Sequence, residues 1–338
     1  MGAKNLVAEV IKQGGRLVPL ILPNLESKGL GVMNPSIGID GDGDLLVNLR
    51  LVNYAFYNNE HEQKFPSRWG PLHYMHPEDD LTLRTRNYLG RLDKDYQLRD
   101  IAWVDTSLLD KEPIWNFHGL EDARIVQWDS KTFITGVRRD TTTDGQGRME
   151  LSELAIEKKT WVVKEVARYR IPAPFADNSY CEKNWMPIHD KPFHYVKWSC
   201  PTEVVRADIG SSINCHQISL ENGLIPPTDQ RGSSHVIWWK GFWLAWTHEV
   251  DLTKNYLQQK NAKYRHRICV WDKNFRLIGL SNEFSFLDAR VEFACGAVVF
   301  GDHVLVTFGF EDSTAFLLEI PEGYMDALVE RIVADEKS

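Results

Sequence analysis

Short apolar or alternating runs, separated by tight polar turns, make up most of the chain between residues 37 and 310. The turns carry the sequences DGDGD, DS, HDKP, KG and GD, whose residues accept the geometry of a tight hairpin turn. Paired runs around such turns are typical of β-hairpins and predict an all-β fold. The predicted hairpins are 37–54, 123–137, 185–198, 235–250 and 296–310.

Helical periodicity occurs near the two ends of the sequence. Residues 3–13 form a short amphipathic run that stops at Gly14-Gly15, and residues 323–335 place apolar side chains at helical spacing. We therefore predict one short helix in each of these segments.

The hairpins recur at a roughly regular interval. Their turn centres are about 87, 60, 50 and 61 residues apart, which suggests a radial repeat with one sheet per unit. We predict a five-bladed β-propeller over residues 31–320, preceded by an extension with a short helix (1–30) and followed by a C-terminal helix (321–338). A β-sandwich or two smaller β domains are the alternatives. In a propeller, polar residues near the hairpin starts converge on a central channel.

Composition narrows the class of protein. The 338 residues are 43% hydrophobic and 25% charged, which is ordinary for a globular chain. The net charge of −8 supplies no basic face, so we expect no nucleic-acid partner. We also expect no membrane partner, because no apolar run approaches a membrane span, and a cytoplasmic location, because the opening residues lack a signal-peptide core. The cysteines are scattered without a CxxC pair, which fits a reducing compartment: Cys181, Cys200, Cys215, Cys269 and Cys295.

The chain is rich in aromatic residues, with 12 Trp, 11 Tyr and 15 Phe. Tryptophans at this frequency either fill the core or offer flat surfaces on which a sugar ring can stack. Composition alone leaves both interpretations open.

The first polar cluster, HGLEDAR, precedes the second hairpin. It contains Glu121, Asp122 and Arg124. In a regular strand alternate side chains share a face, so Asp122 and Arg124 would point the same way. The neighbouring arginine lowers the pKa of the carboxyl group and burial raises it, so the cluster is either a structural ion pair or a general acid.

Other polar clusters precede or close the later hairpins. One contains Glu182, Lys183, Asn184 and Trp185 and is either a binding element or a surface loop. The others contain Ser233 with His235, His248, and Asp312, for which binding and purely structural roles are both open. Carboxylates, amides and Trp rings around one axis suit a sugar.

No cofactor or metal site is predicted. His73 and His76 are three residues apart but lie in a Pro-rich stretch, and motifs such as HExxH and GxGxxG are absent from the sequence.

Four strings in the same order resemble glycoside hydrolase family 130: GLEDARI, CEKNWMPI, RGSSHVIWWKGFWLAWTHEV and FACGAVVFGDHVLVTFGFEDS. This family comprises β-mannoside phosphorylases and related hydrolases on a five-bladed propeller, and the similarity runs from about residue 30 to 320. The resemblance implies that Asp122 is the proton donor, with a raised pKa while it acts as an acid. It also implies that the sugar site includes residues from several clusters: Glu121, Arg124, Glu182, Lys183, Asn184, Trp185, Ser233, His235, His248 and Asp312, with Cys295-Gly296 in the last hairpin.

The chain departs from the family pattern at two points. Ala123 replaces the usual Pro, and Lys197-Trp198-Ser199 stands where the phosphorylases carry a His-Arg pair. Because an arginine binds phosphate in a forked geometry, we predict that Arg138 or Arg139, together with Arg148 or Lys197, lines the pocket next to Asp122. The alternative is that these arginines are solvated at a sheet edge.

We therefore predict an inverting phosphorylase or hydrolase that acts on a β-mannoside-like bond of an oligosaccharide, with inorganic phosphate as a candidate co-substrate. A glycosyltransferase that uses a sugar nucleotide or a sugar phosphate is the first alternative. It is favoured by the missing His-Arg pair and by the strings at 48–54 and 84–87, which resemble propellers found near glycosyltransferases. A non-catalytic glycan-binding propeller is the second alternative.

Overall fold

The computed structural model describes residues 4–23, 31–56, 64–65, 72–75, 82–174, 179–254 and 260–335. Within these ranges the chain is mostly β-strand, with helices α1 (Leu6–Lys12) and α2 (Glu322–Asp335) near the ends. Neither described helix is both long and apolar enough to cross a membrane.

The strands follow one another in short antiparallel steps. Those of the first half are β1 (Lys4–Asn5), β2 (Arg16–Pro19), β3 (Gly31–Ile39), β4 (Leu45–Val52), β5 (Ala55–Phe56), β6 (Lys64–Phe65), β7 (Leu72–Met75), β8 (Leu83–Leu92), β9 (Leu98–Asp105), β10 (Phe117–His118), β11 (Glu121–Trp128), β12 (Lys131–Arg138), β13 (Arg148–Glu157) and β14 (Val162–Arg170). Those of the second half are β15 (Met186–Pro187), β16 (His194–Ser199), β17 (Thr202–Ile209), β18 (Ile213–Glu221), β19 (Arg231–Gly232), β20 (Ile237–Trp239), β21 (Phe242–Lys254), β22 (Lys260–Trp271), β23 (Leu277–Leu280), β24 (Phe284–Ser285), β25 (Glu292–Phe300), β26 (His303–Phe310) and β27 (Thr314–Pro321).

Hydrogen bonding arranges these strands into successive sheets. The first sheet has the order β3-β4-β8-β9 and the second the order β11-β12-β13-β14, and a short parallel contact between β14 and β9 joins them. The third sheet is β15-β16-β17-β18. The fourth is built on β20-β21-β22-β23, with β19, β24 and β1 at its margins, and the last is β2-β27-β26-β25.

The five predicted hairpins are confirmed as β3–β4, β11–β12, β15–β16, β20–β21 and β25–β26. Their turns adopt the backbone conformations that the sequence indicated. Asp129 and Ser130 both have positive φ (48° and 62°), as do Lys240 and Gly241 (43° and 102°). Two consecutive residues of positive φ match the twist of a hairpin, which explains why glycine or a short polar residue occupies three of these four positions.

The N-terminal segment, which the sequence analysis placed apart from the sheets, lies within the fold. Strand β2 pairs with β27 and completes the last sheet, so the two ends of the chain meet there. Helix α1 buries Leu6, Val7 and Val10 against the same apolar cluster that α2 covers. Both helices therefore contribute to the core.

Most of the tryptophans that the structure describes serve as core packing. Trp128, Trp185, Trp246 and Trp271 are among the largest fully buried side chains. Others keep part of their ring at the surface: Trp103, Trp198 and Trp238. The core interpretation of the Trp content therefore accounts for many of these residues, and the stacking interpretation stays open for the exposed ones.

The candidate site lies where three neighbouring strands each contain a bulge near the same end. The pairing register shifts between Met33 and Ser36 in β3 and between Glu121 and Arg124 in β11. A third shift occurs in β25, at Cys295. Strand β3 contacts both β11 and β25, so these irregularities lie close together. A bulge inserts an extra residue and re-aims its side chain, which is why bulges are common next to binding and catalytic sites.

Candidate functional site

Asp122 is the extra residue of the bulge in β11. Its backbone is left-handed, with φ of 49°, a conformation that Asp tolerates better than most residues. The partner strand allows this close approach because it carries Gly136, where a Cβ atom would lie 2.3 Å from the Glu121 carbonyl oxygen. The bulge also breaks the simple alternation expected from the sequence. Arg124 therefore donates from Nη1 to the main-chain oxygen of Asp122 (2.7 Å), not to its carboxylate.

The carboxylate of Asp122 is held by two side chains from the first sheet. Its Oδ1 atom accepts a hydrogen bond from Asn34 Nδ2 at 2.7 Å and from Arg50 Nη1 at 2.5 Å. Asn34 is itself left-handed (φ 44°), and it fits because Gly309 faces it, where a Cβ would lie 2.7 Å from the Asn34 nitrogen. The Asp122 side chain is 14% exposed, so a ligand can reach it.

Arg50 is a buried cation at the centre of a polar network. Its guanidinium donates to Tyr54 Oη at 2.6 Å and to Thr85 Oγ1 at 3.2 Å, and it lies 3.6 Å from Glu121 Oε2. Burial lowers the pKa of Arg50, but the charges around it, including those of Asp122 and Glu121, raise it overall. Arg50 therefore remains a fixed positive charge beside the carboxylate.

The pKa of Asp122 differs from the expectation. Burial alone would raise it, but the positive charges of Arg50 and Lys183 and the hydrogen bond from Asn34 outweigh burial and lower the pKa to about 2. The expected raised pKa is therefore not a property of the ligand-free protein, in which Asp122 is ionised at neutral pH.

Glu121 extends the network to the arginine that follows β12. Its Oε1 atom lies 3.3 Å from Arg139 Nε, and its Oε2 atom faces Arg50. Arg139 also donates to Cys181 Sγ at 3.2 Å and lies over the Phe117 ring. Glu121 thus lies between two cations, Arg50 and Arg139. Its carboxylate connects Arg139 to the network around Asp122.

Arg124 connects the second sheet to the segment before the fourth. It is fully buried, and its Nε atom donates to the Ser233 carbonyl oxygen at 2.6 Å. Ser233 Oγ lies 2.8 Å from His248 Nδ1, so both predicted residues are joined to the same region. The pKa of His248 lies well below its usual value because the ring is buried and close to the positive charges of Lys183 and Arg231. His248 is therefore a neutral group.

The loop before β15 contributes a third left-handed residue. Asn184 has φ of 61°, is 8% exposed, and keeps its buried Oδ1 atom without a hydrogen-bond partner among the described residues. Lys183 beside it is exposed, and its charge acts on both Asp122 and His248. Glu182 and Trp185 serve a different purpose, because the buried Trp185 indole donates to Glu182 Oε2 at 3.0 Å within the core.

Asp312 and Tyr264 close the site from the side of the last two sheets. Asp312, at the end of β26, is also left-handed (φ 52°), and its charge raises the pKa of Arg50 and of Tyr264. Burial is the main cause of the raised pKa of Tyr264, and the charge of Asp122 adds to it. Burial also raises the pKa of the Cys295 thiol to about 12, so this neighbour is a neutral packing group.

His235 lies outside this group. The ring is fully buried, its Nδ1 atom accepts from the Ala297 amide at 3.2 Å, and its Nε2 atom is 2.6 Å from the Ile125 carbonyl oxygen. Since the amide must donate, Nε2 carries the proton. Both ring nitrogens are thus used to join β11 to β25, and none remains for a ligand.

The four candidate anion-binding residues already contact carboxylates or main-chain oxygen atoms of the protein. Arg138 pairs with Glu150 Oε2 at 2.7 Å and with Asp140 Oδ2 at 3.2 Å. Arg148 donates to the main-chain oxygens of Gly147 and Ser179. Lys197 lies 3.7 Å from both Glu182 and Glu203. Only Arg139, through Glu121, is connected to the network around Asp122.

No group of three or more His, Cys, Asp or Glu side chains in the described ranges is arranged to hold a metal ion. The pair His73 and His76 is not part of this finding, because His76 lies outside the described residues and only the main chain of His73 is described.

Sequence reasoning missed Asn34, Arg50 and Tyr264. A signal existed for Arg50, because the apolar strand LLVNLRLV carries Asn48 and Arg50 two residues apart, which puts both on one face. All residues of that strand are buried. A charged residue in such a strand needs a buried partner, but the partner itself cannot be read from the sequence.

No family model and no curated protein sequence matches this chain. Similar solved structures exist at low identity. The β-1,2-mannobiose phosphorylase from Listeria innocua, solved in complex with β-1,2-mannobiose, is 13% identical with a TM-score of 0.50, and the alignment covers 89% of this chain and 92% of that one. A mannose phosphorylase from Leishmania mexicana, solved in complex with phosphate, is 12% identical with a TM-score of 0.50 and coverage of 95% and 93%.

A third structure represents the GH130 family of mannoside phosphorylases, which contains glycoside hydrolases that target β-1,2-mannosidic linkages in Candida mannan. It is 13% identical, with a TM-score of 0.50 and coverage of 86% and 84%. At this level of identity the similarities establish that the chain shares the fold of these enzymes.

Proposed function

We propose that the chain is a carbohydrate-active enzyme that breaks or forms a β-mannoside-like glycosidic bond, with inversion, at Asp122. The observation that carries the proposal is the reachable carboxylate of Asp122, fixed by Arg50 and Asn34 in a bulge. The fold shared with mannoside phosphorylases and a related hydrolase supports the choice of substrate.

The groups around Asp122 suit a sugar because they offer hydrogen-bonding atoms of several kinds at fixed positions. Asn184 Oδ1, which has no partner among the described residues, can accept a hydrogen bond from a sugar hydroxyl, the neutral His248 presents an uncharged ring, and Asp312 adds a carboxylate. Several of these residues have left-handed backbones, and strained conformations of this kind persist where surrounding structure holds a site in place. We assign Asn34, Arg50, Asn184, His248, Tyr264 and Asp312 to the sugar site.

The sheet order supports the five-bladed propeller in finer detail. We infer that the first, second, third, fourth and last sheets are its blades, with β2 closing the last one. In that arrangement β3, β11 and β25 line the central channel, and the bulges of these strands place Asn34 and Asp122 at its mouth. The propeller then extends from β2 to β27, with residues 31–320 as its main body.

The low pKa of Asp122 bears on the direction of the reaction. In bond cleavage this group must give a proton to the leaving oxygen, and in bond formation it must take one from the acceptor hydroxyl. A pKa of about 2 leaves Asp122 ionised at neutral pH, which is the form that can take a proton, but it also makes the carboxylate a weak base. As a donor it needs a substrate that weakens its contact with Arg50 and raises its pKa.

A second candidate is a glycosyltransferase that uses a sugar phosphate or a sugar nucleotide, and it is favoured by Lys197-Trp198-Ser199 at the position where the phosphorylases carry a His-Arg pair. The donor's phosphate requires cations, and the charges of the exposed Lys183 and Arg231 act on His248. Arg231 also lies 3.3 Å from Asp229 Oδ2, which an incoming phosphate would have to replace. We propose Lys183 and Arg231, with Arg139 behind Glu121, as the anion site for such a donor or for inorganic phosphate as co-substrate.

The test compares donors and one substitution. The protein is incubated with β-1,2-mannobiose plus phosphate, with mannose 1-phosphate plus mannose, and with GDP-mannose plus mannose. Asp122→Asn should lower turnover by about 10²–10⁴-fold, because it removes the proton-transfer group and keeps its shape. Asp129→Asn, in the exposed turn of the same hairpin, is the matched control and should turn over like the unmodified protein.

The outcomes separate the candidates. Product from mannose 1-phosphate but not from GDP-mannose supports a phosphorylase, and product from GDP-mannose alone supports the transferase. Turnover of Asp122→Asn within a few fold of the unmodified protein contradicts the assignment of Asp122. Sugar binding without turnover on any donor supports the non-catalytic glycan-binding propeller.

A further inference from the structure

A cavity of about 500 Å³ lies between the first and second sheets, next to the candidate site but separate from it. Its lining includes Gly119 and Leu120, which immediately precede Glu121, so it opens at the same end of the sheets. Other lining residues come from strands β8, β9, β12, β13 and β14: Thr85, Trp103, Ile134, Ser152, Glu165 and Arg168. Its volume falls in the range of small-molecule sites, about 300–1,000 Å³.

Two of the arginines that line this cavity, Arg138 and Arg168, are paired with carboxylates. Arg168 donates from Nε to Glu165 Oε1 at 3.0 Å and from Nη2 to Asp110 Oδ1 at 2.9 Å. Arg138 lies 3.2 Å from Asp140 Oδ2. The interior therefore presents paired charges, which neither attract nor repel an uncharged ligand strongly.

Two buried oxygen atoms in the wall are left over. Ser152 is 1% exposed and Asp140 is 6% exposed, yet Ser152 Oγ and Asp140 Oδ1 have no hydrogen-bond partner in the part of the chain that the structure describes. Buried polar atoms are normally paired, so these two atoms are the positions in the wall at which a partner from outside the chain would gain a hydrogen bond. Both atoms can accept a hydrogen bond, and the carboxylate of Asp140 would repel an anion. The hydroxyl groups of a neutral sugar meet these requirements.

The mouth of the cavity supplies a flat apolar surface. Trp103 is 49% exposed on β9, where its ring is available for stacking against the apolar face of a pyranose. Arg86, which is also exposed, lines the same cavity and offers hydrogen-bond donors to a ligand there.

One residue connects the cavity to the candidate site. Thr85 lines the cavity, and its Oγ1 atom accepts from Arg50 at 3.2 Å, while Arg50 holds Asp122. Thr85 and Arg50 therefore connect the cavity wall to the carboxylate of Asp122.

From these observations we infer that the cavity is a second carbohydrate-binding site, which takes an uncharged sugar residue at Ser152, Asp140 and Trp103. The inference rests on the proposed function only for the class of ligand. The reacting sugar lies at Asp122, and this second site holds another residue of the acceptor or of the substrate chain.

The sharpest test is Ser152→Ala, measured by calorimetry with β-1,2-mannobiose and by crystals soaked in the same sugar. Because Ser152 Oγ has no partner in the ligand-free protein, its removal should leave the thermal midpoint unchanged or raised. Affinity at the cavity should fall about three- to tenfold, because a hydrogen bond to the sugar is lost. The matched control is Ser199→Ala. Ser199 Oγ is buried and donates to the Gln230 carbonyl oxygen at 3.1 Å, so its removal should lower the midpoint and leave affinity unchanged.

A second pair of variants tests the mouth of the cavity, independently of the buried oxygen atoms in its wall. Trp103→Ala should weaken binding about two- to tenfold, whereas Trp198→Ala, with a similar exposed fraction of 45%, should have no effect on binding. A cavity that holds only water after soaking, or that takes inorganic phosphate in place of sugar, overturns the inference. So does wild-type affinity in both Ser152→Ala and Trp103→Ala.

The two proposals fail separately. Sugar in the cavity of a protein without turnover on any donor removes the proposed function and keeps this site. Turnover by a protein in which Ser152→Ala and Trp103→Ala bind normally removes this site and keeps the proposed function.

Discussion

The space between the first and second sheets has two ends that differ in chemistry although the same strands build both. One end is filled by large apolar side chains, and the other is polar and partly hollow. The change occurs between residues two apart on one strand face: Leu46, Asn48 and Arg50 on β4; Leu89, Asn87 and Thr85 on β8; Leu154, Ser152 and Glu150 on β13.

The comparison shows that the apolar end stabilises the fold, whereas the polar end is suited to binding a ligand. At the apolar end, burial itself stabilises the fold, because each side chain leaves water and fills space. At the polar end, each buried group must find a partner, as Arg50 does with Asp122 and Thr85. The pairing compensates for burial and, at the same time, leaves oriented polar atoms that can meet a ligand.

The largest expected effect comes from breaking the charge pair at the polar end. Arg50→Met should lower the free energy of unfolding by about 3–5 kcal/mol, because it leaves the buried carboxylate of Asp122 without its main partner. Denaturant unfolding measures this loss. In the double variant Arg50→Met/Asp122→Asn, no such charge remains at position 122, so the combined loss should be clearly smaller than the sum of the two single losses. Additive losses would contradict the pairing.

At the apolar end, Leu89→Ala should lower the free energy of unfolding by about 3 kcal/mol, since it leaves a cavity beside Leu46 and Trp161. Urea unfolding is again the measurement. The matched control, Leu220→Ala on strand β18, removes a leucine that is 51% exposed and should change stability by less than about 0.5 kcal/mol. An equal effect at both positions would show that the apolar end is not a packed core.

The smallest expected effect is the pH dependence of the Asp122 contribution. The folded pKa of about 2 lies below the ordinary value of 3.8, so the carboxylate stabilises the folded state above about pH 4, and this contribution is lost as the pH falls towards 2. The shift corresponds to about 2 kcal/mol. The stability difference between the unmodified protein and Asp122→Asn should therefore narrow over this pH range in urea unfolding. A difference that stays constant from pH 6 to pH 2 would contradict the low pKa.

Much of the local structure could be predicted from the sequence. The five hairpins and the two end helices follow from apolar periodicity and turn residues, which act over a few neighbouring positions. Asp122, Lys183 and Asn184 stood out because dense polar clusters at strand entries are unusual. His235 stood out for the same reason, but its ring joins two strands. The type of a residue indicates that its position is polar. Its role depends on the groups that it contacts in the folded protein, as His235 shows.

The sequence by itself determined the strands, the turns and the polar clusters, because periodicity and turn chemistry are local properties. The tertiary structure alone decided the bulge that turns Asp122 towards Asn34 and Arg50, which lie 88 and 72 residues away along the chain. It also decided the pKa of Asp122, because a pKa depends on which charges lie within a few ångströms and how well water reaches them. Those distances are set when separate sheets pack, so they have no counterpart in any short stretch of sequence.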